Sequence, residues 1–571
     1  MRHWRIGALF LTACLWERGS EPPKTILDLQ QFRQSNSIPI LTRAGREGNV
    51  TLVNLNPSIN VWYLLKLAWR DSNVEADYHL ENPAPHTRKL VLDDKNSSGL
   101  VILEGINRIP CDLFGSMDFE KAKSSPLIYY PLCEGRIYLR KSATGQRTTL
   151  EATTEFLREH VWGGEKIIDV GHIILGDSQR EIGKIQSGAQ TGAKAREPVD
   201  IPLPALIDSK YANQFLTSYN LGIALEEPDQ NGMVPGTWHA ARGNPGVYVS
   251  VLQPNFIDPA ILQSYRTAAN NLDSVEAASL CYLIAFDLDR FELAFALGTD
   301  YPGVGWSRQV PEQRRDPNLP GPDGFENIQP LVATGLISPD EAGKTVATFT
   351  GGFKRSHGAF KYGDLALRNH GSHYGFMEKG VVFSTLQPGL ATIFVLDDGV
   401  VEMKTWADSD NKLLPRIKCA RQNGVPLIEF DGPSRAPVPG PLVARWGPGN
   451  WSGSQNSELR TMRSGVALQK SQGRRFLIYA VFSDATPSAM ARAFQAYRCE
   501  YAMLLDMNAL EHTYAAVYRR SGSQLVVDHL LKGMSVLDKS ASGELSPRFL
   551  GYADNRDFFY LMRRNGKEVK P

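Results

Sequence analysis

The sequence predicts an α+β protein, with an N-terminal β-sandwich-like domain followed by a C-terminal mixed α/β domain. Three observations carry this reading. Between Val50 and about Gly105, short apolar runs (VTLVNLN, VWYLLKLAW, ADYHLEN, RKLVLDD, GLVILEG) are broken by Asn-Pro and Asn/Ser/Gly turns, the spacing of an all-β sandwich. Beyond about Gly246 the apolar runs become continuous, as in strands buried on both faces. Phe476 to Asp506 then reads as strand, helix, strand, the pattern of a crossover between parallel strands. The 50 Gly and 35 Pro agree with a turn-rich, strand-rich chain.

Taken in order, residues 1–20 read as a targeting segment. Arg2 and Arg5 precede the short apolar run Ile6 to Ala13, too brief to span a bilayer but suited to a secretory signal. Leu11-Thr12-Ala13-Cys14 resembles the bacterial lipobox, which implies lipidation at Cys14, an exported chain and a membrane partner reached through the lipid anchor. An ordinary signal peptide or an alternative start are the other readings. Residues 40–165 form the β-rich domain. GRIYLRK supplies a further strand, and TTLEATTEFLREHVWGG reads as a helix capped by Thr148. Cys111 and Cys133 flank one polar loop of this domain and are expected to form a disulfide; Cys281 and Cys499 read as buried small hydrophobes.

Residues 166–245 read as a linker with a helix around Ser209 to Leu225, and 246–571 as the second domain. It opens with a hairpin-like pair, CYLIAFDLD and FELAFALGTD. A clearer hairpin, ATIFVLDDGVVEMKTW, turns at Asp398-Gly399. Within Phe476 to Asp506, Thr486 caps a helix with Pro487 at its first position. Asp506 is thereby delivered to the carboxyl end of a strand, where ligand crevices form.

The balance of 62 Lys+Arg against 61 Asp+Glu gives +1, so no global field draws the chain to nucleic acid. There is no phosphate-binding loop, no dinucleotide fingerprint after a strand and no paired-Cys zinc pattern, so no cofactor, metal or nucleic-acid partner is expected. His357, His370, His373, His512 and Asp506 contain metal-ligand types, but their spacing fits no recognised site. Trp446 and Trp451 lie in a Gly/Ser-rich loop and read either as sugar-stacking faces or as buried indoles.

Three stretches occur in order: Thr350-Gly351-Gly352-Phe353, Arg463-Ser464-Gly465-Val466, and Leu505-Asp506 after the crossover helix. Together they resemble the phosphodiester glycosidase family, the domain shared by the lysosomal uncovering enzyme and bacterial exopolysaccharide-associated proteins. The resemblance covers roughly 246–514. Where the family continues from its Asp with three glycines and Ser-Thr, this chain has Met507, Asn508 and Ala509, and then Thr513. Glycine permits positive φ and close backbone approach to an anion, which Met and Ala do less readily.

The resemblance implies a glycan or phosphosugar ligand and hydrolysis of a glycosidic phosphodiester in an envelope or extracellular glycan. The alternative is a non-catalytic glycan-binding or scaffold protein that keeps the fold. Arg463 is the candidate phosphate clamp, or else a structural partner of Asp506. Asp506 is the candidate base or sugar ligand, or else a satisfied strand-end carboxylate. His373 is the preferred acid/base group, or else an exposed or structural loop histidine. Gly351, Gly352, Lys354, His357, Asn508, His512 and Thr513 complete the candidate substrate-binding set.

Overall fold

A computed structural model describes residues 25–42, 45–72, 75–95, 99–114, 118–145, 186–187, 201–227, 232–300, 312–314, 328–354, 374–432, 436–445, 459–522, 524–541 and 544–564. The targeting segment with Cys14, the helix expected after Thr148, His357, His370, His373, Trp446 and Trp451 lie outside them.

The architecture is mixed α+β, with distinct N- and C-terminal sheet regions. In the N-terminal region the sheet order is Gln34–Leu41, Glu47–Asn54, Trp62–Trp69, Glu75–Glu81, Ile137–Arg140, Tyr129–Leu132. A second sheet holds Arg88–Leu92, Leu100–Glu104 and Asn107–Pro110. Val50, Leu65 and Leu80 from the first sheet share a core with Leu90, Leu100 and Ile102 from the second, the inner faces of a sandwich. Alternation fixes the register: in Glu47–Asn54, Val50 and Leu52 face this core, while Val53 faces the C-terminal region. Cys111 and Cys133 are joined by a disulfide across this core.

An eight-stranded sheet dominates the C-terminal region, in the order His239–Ala240, Val247–Leu252, Cys281–Asp287, Arg474–Ala485, Thr461–Ser471, Tyr501–Met507, Pro426–Phe430, Pro437–Pro439. The helix Pro487–Ala496 has Thr486 as N-cap, its hydroxyl accepting from the N–H of Ala489, and Pro at its first turn. Met490 and Phe494 press on Gly465, where a Cβ would stand 2.9 Å from the Met490 methyl. This close approach explains the glycine in the middle of a buried strand.

The crossover expectation holds with one change. Arg474–Ala485 and Tyr501–Met507 are parallel to each other, but Thr461–Ser471 lies between them, antiparallel to both. The hairpin expected from Cys281 onwards is corrected. Cys281–Asp287 pairs in the eight-stranded sheet, whereas Phe291–Ala296 pairs with Phe558–Arg563 in another sheet, ahead of Thr345–Thr350, Ala515–Ser521 and Gln524–His529. Two adjacent apolar runs can both be buried without being each other's partners. The helix expected over Ser209 to Leu225 is also corrected. Asp208 caps only the 3-10 turn Ser209–Tyr211, and a short strand, Gln214–Phe215, follows. No apolar stripe at helical spacing continues it. Leu216 and Leu221 of this stretch, with Met233 and Trp238 beyond it, enter the main core. The hairpin Ala391–Leu396 with Val401–Thr405 forms as expected, but of the Asp-Gly pair only Gly399 has positive φ, and the Leu396 amide closes on the Val400 carbonyl, so the turn is longer than the expected two-residue one.

The two regions are joined by specific contacts. Gln30 exchanges hydrogen bonds with the backbone of Val382, donating at 2.6 Å and accepting at 2.9 Å. Asn56 donates to the carbonyl of Gly380 at 3.0 Å, and Trp62 meets Phe383 edge to face. Arg140, fully buried, lies over the Trp62 ring and 3.2 Å from Glu81.

Replacing Cys111 and Cys133 together by Ser should lower the unfolding free energy by about 3 kcal/mol, as a closed loop of this length predicts. Denaturant titration of the variant and of reduced wild-type protein should give coincident curves; a variant as stable as the oxidised wild type would refute a stabilising role.

Candidate functional site

The three sequence stretches meet at the carboxyl end of Tyr501–Met507. This strand is entirely buried, and its pairing with Thr461–Ser471 sets Arg463 opposite Met507. Because side chains alternate, Asp506 projects from the other face, beside Ser464. The Ser464 hydroxyl lies 3.2 Å from the Asp506 amide and 3.3 Å from its carbonyl. Thr350, at the end of Thr345–Thr350, donates its hydroxyl to the His512 carbonyl at 2.8 Å and lies 3.3 Å from the Tyr479 hydroxyl. Asn423 completes the junction. Its Nδ2 donates to the carbonyls of Leu504 and Leu505, both at 2.7 Å, and its Oδ1 accepts from the Phe353 amide at 3.1 Å.

Asp506 is paired with Arg556. Nη1 of Arg556 donates to Oδ2 at 2.7 Å, and the Met507 amide donates to Oδ1 at 2.8 Å. Both partners of the ion pair are almost completely buried. Burial pushes the Asp506 carboxyl up to about 7 and outweighs Arg556, the Met507 amide and Lys354, which favour the anion; Asp557 adds to the upward shift. A second buried pair lies alongside: Arg421 Nε donates to Asp557 Oδ2 at 2.5 Å, and Arg421 Nη2 donates to the Phe353 carbonyl at 2.6 Å. Lys354 reaches Asp300 Oδ2 at 3.3 Å, where Asn555 Nδ2 also donates at 3.2 Å. Asp554 accepts from Arg548 Nε at 2.9 Å and from the Arg556 amide at 2.9 Å, which fixes the backbone that carries Arg556.

Gly351 and Gly352 contribute space rather than donors. A Cβ on Gly351 would stand 2.8 Å from Asp557 Oδ2, and one on Gly352 2.8 Å from Asn423 Oδ1. Gly352 also has φ +140°, a conformation that L side chains rarely adopt.

The turn after Asp506 requires less glycine than its departure from the family pattern suggests. Met507 still belongs to the strand, and Ala509 is extended at φ −154°. Only Asn508 takes positive φ, at 84°, and Asn tolerates it better than other non-glycine residues. Its amide donates to the Met462 carbonyl at 2.8 Å and its Oδ1 accepts from Thr461 at 3.1 Å.

The remaining expected residues take other places. Arg463 is on the sheet face opposite Asp506. It donates to the carbonyls of Ala485 at 2.7 Å and Leu459 at 2.9 Å and lies 3.3 Å from the Met507 sulfur. Burial lowers it to about 9. It is therefore neither brought to Lys354 and Arg556 nor paired with Asp506. The Thr513 hydroxyl donates to the Ala509 carbonyl at 3.1 Å, and His512 Nδ1 lies 2.6 Å from the Met507 carbonyl, so both close the turn. Cys281, Cys419 and Cys499 are buried, and burial pushes their thiols up, away from reactive thiolate. Among the described residues no group of three His, Cys, Asp or Glu is placed to hold a metal ion. No described helix is long and apolar enough to cross a membrane.

Arg556, Asp557, Arg421 and Asn423 were not found from the sequence. Their signal was present: the polar run Asp554 to Asp557 sits flush against the apolar run Phe558 to Met562, and Arg421 to Asn423 lie between two apolar runs.

No protein-family model matches the chain, and no curated protein matches it. Several solved structures show distant likeness, three of which follow. The catalytic domain of zebrafish N-acetylglucosamine-1-phosphodiester alpha-N-acetylglucosaminidase, auto-inhibited by its pro-peptide, is 9% identical with a TM-score of 0.29, over 64% of this chain and 96% of that one. A protein from Burkholderia pseudomallei is 10% identical with a TM-score of 0.20, over 60% and 85%. A hypothetical protein from Synechocystis is 9% identical with a TM-score of 0.21, over 92% and 99%.

Gly352→Ala should cost about 2–3 kcal/mol, combining a positive-φ penalty with a core contact that cannot relax freely. Asn508→Gly should stay within about 1 kcal/mol of wild type, since it relieves the same conformation while losing one hydrogen bond. Chemical denaturation checks both, and equal destabilisation would contradict this account of the two turns.

Proposed function

We propose that the Asp506 centre binds a phosphodiester and hydrolyses its glycosidic bond, acting on a cell-envelope or extracellular glycan. One observation carries the reading: Lys354, Arg421 and Arg556 converge with Asp300, Asp557 and an Asp506 that titrates near neutrality. Burial pushes the Asp557 carboxyl up as well; with Asp506 protonated and Asp300 and Asp557 as anions, these six groups sum to +1, the complement of the single negative charge on a phosphodiester. Buried cations hold such an anion more strongly than exposed ones, because little water screens them.

In this reading Lys354 and Arg556 hold the phosphate oxygens, taking the part that the sequence suggested for Arg463. Water adds to the anomeric carbon as its bond to the phosphate oxygen breaks. Asp506 gives its proton to the departing oxygen, and a second group accepts the proton lost by water. His373 is the sequence's candidate for that second group. The family resemblance of the three stretches supports the choice of a sugar phosphodiester. Export and a lipid anchor at Cys14 belong to the same proposal, resting on the signal-like segment; fatty-acid labelling that persists in Cys14→Ala would refute the anchor.

Purified protein should release N-acetylglucosamine from a synthetic N-acetylglucosamine 1-phosphodiester, and Asp506→Asn should lower kcat by about 10²- to 10⁴-fold, the usual worth of a general acid. Absence of turnover together with retained binding of an envelope polysaccharide would favour a glycan-binding protein. Turnover that ignores Asp506→Asn would remove the centre from the chemistry.

The pH dependence has a defined sign. As pH rises through about 7 the carboxyl ionises and the cluster loses its +1 charge, so phosphodiester affinity and kcat/KM should fall above that point. Arg556→Gln removes the largest influence lowering this carboxyl, so the midpoint should move up, and Asp506→Asn should abolish the step. A pH profile of kcat/KM for the three proteins measures this; a midpoint that moves down in Arg556→Gln would be the wrong sign.

A further inference from the structure

The chain leaving the N-terminal sandwich reaches the C-terminal region at Gly145, against the polar run that carries Arg556. After the strand Ile137–Arg140, residues 141–145 run out to Gly145, whose amide donates to the Thr299 hydroxyl at 2.8 Å. The fit leaves no room for a side chain: a Cβ on Gly145 would lie 2.0 Å from Thr299 Oγ1, 2.6 Å from the Asn555 nitrogen and 2.7 Å from the Asp554 carbonyl carbon. Gly145 has no positive φ, so it is the close approach of another backbone that calls for glycine here.

Thr299 and Asp300 are laced to the polar run that carries Arg556. The Thr299 amide donates to the Asp554 carbonyl at 3.0 Å and the Asp300 amide to the Asn555 carbonyl at 3.1 Å. Asp300 then holds Lys354 and the Asn555 side chain, and Arg556, next to Asn555, donates to Asp506 at 2.7 Å. The path from the sandwich to the centre thus runs from Gly145 to Thr299 and its neighbour Asp300, on to Asn555, and through the adjacent Arg556 to Asp506.

The sandwich that supplies Gly145 is itself held by polar contacts. The Tyr129 hydroxyl lies 3.0 Å from Thr334 Oγ1 and donates to the Leu336 carbonyl at 3.1 Å, and the Tyr138 hydroxyl donates to Asp340 at 3.2 Å. Glu378, at the end of the strand Phe376–Glu378, accepts from the Leu297 amide at 3.0 Å, anchoring the same segment two residues before Thr299. Both ends of 297–300 are therefore held by the C-terminal region, and the N-terminal region adds the Gly145 bond to the Thr299 hydroxyl.

We propose that the N-terminal sandwich is a positioning part of the site: the Gly145 amide, through the Thr299 hydroxyl, sets Asp300 so that it holds Lys354 and Asn555 at the Asp506 centre. Gly145 and Thr299 are positioning residues and touch no ligand. The functional half of this inference rests on the proposed phosphodiester site, and the structural half does not.

The test uses the full chain, with a non-hydrolysable phosphonate monoester analogue of N-acetylglucosamine 1-phosphodiester, which carries the same single negative charge, as probe. Thr299→Val keeps the shape and removes the acceptor; Thr299→Ser keeps the acceptor. Thr299→Val should weaken probe binding about tenfold, a change of about 1.4 kcal/mol, and should speed amide exchange at 298–300 and 554–556. Thr299→Ser should match wild type in both measurements. Asp300→Asn should weaken binding similarly, and the double variant Thr299→Val with Asp300→Asn should be no weaker than Asp300→Asn alone, because one path carries both effects. Gly145→Ala should reproduce Thr299→Val; should it fail to fold, the threonine pair decides. Additive losses in the double variant, or faster exchange confined to 141–145, would overturn the proposal. Wild-type protein that ignores the probe counts against the phosphodiester site, and exchange at 298–300 and 554–556 then decides the positioning claim by itself.

Discussion

The ion pair between Asp506 and Arg556 is the constraint around which the C-terminal region is arranged. A charge taken out of water needs an opposite charge and hydrogen bonds, or it loses its charge. Here both happen in part: Arg556 and the Met507 amide hold the carboxyl, and burial still pushes it up to about 7. The backbone bearing Arg556 must then be fixed, which Asp554 and Arg548 do. The neighbouring carboxylate, Asp557, needs its own cation, and Arg421 supplies it. Gly351 and Gly352 are small because these paired groups fill the space that their side chains would need.

The same pair gives the centre chemical scope. A carboxyl that is half protonated near neutral pH can give or take a proton at little cost. In the proposed function, cations held by carboxylates at buried positions are in place before the phosphodiester arrives, so less reorganisation is needed when it binds. Arg463, by contrast, spends its donors on carbonyls of its own sheet and on a sulfur, and its role is to close the end of that sheet.

The N-terminal sandwich is joined to this arrangement rather than tethered beside it. Val53, Trp62 and Leu64 enter the main core together with strands of the C-terminal sheets. Arg140, buried over Trp62, and Gln30 and Asn56, bonded to backbone of the C-terminal region, add polar specificity to that apolar contact. Gly145 extends it to the polar run that holds Arg556.

Much of this was legible in the sequence, because it is local. Short alternating runs specified the sandwich strands, Asp398-Gly399 specified a hairpin, and Thr486-Pro487 specified a helix start, each from chemistry within a few residues. The position of Asp506 at a strand end followed from the same kind of signal. What the tertiary structure alone decided is partnership and facing. Which strand lies between two parallel ones, that Cys281–Asp287 and Phe291–Ala296 part into different sheets, and that Arg463 and Asp506 face opposite sides all depend on register. A shift of one residue reverses every side chain, and the register of Arg463 shifts at a bulge that no local pattern announces. Arg556 lies 50 residues beyond Asp506 in the chain. Periodicity operates over a few residues and is silent about such a distance; the cost of an unpaired buried charge is what brings the two together.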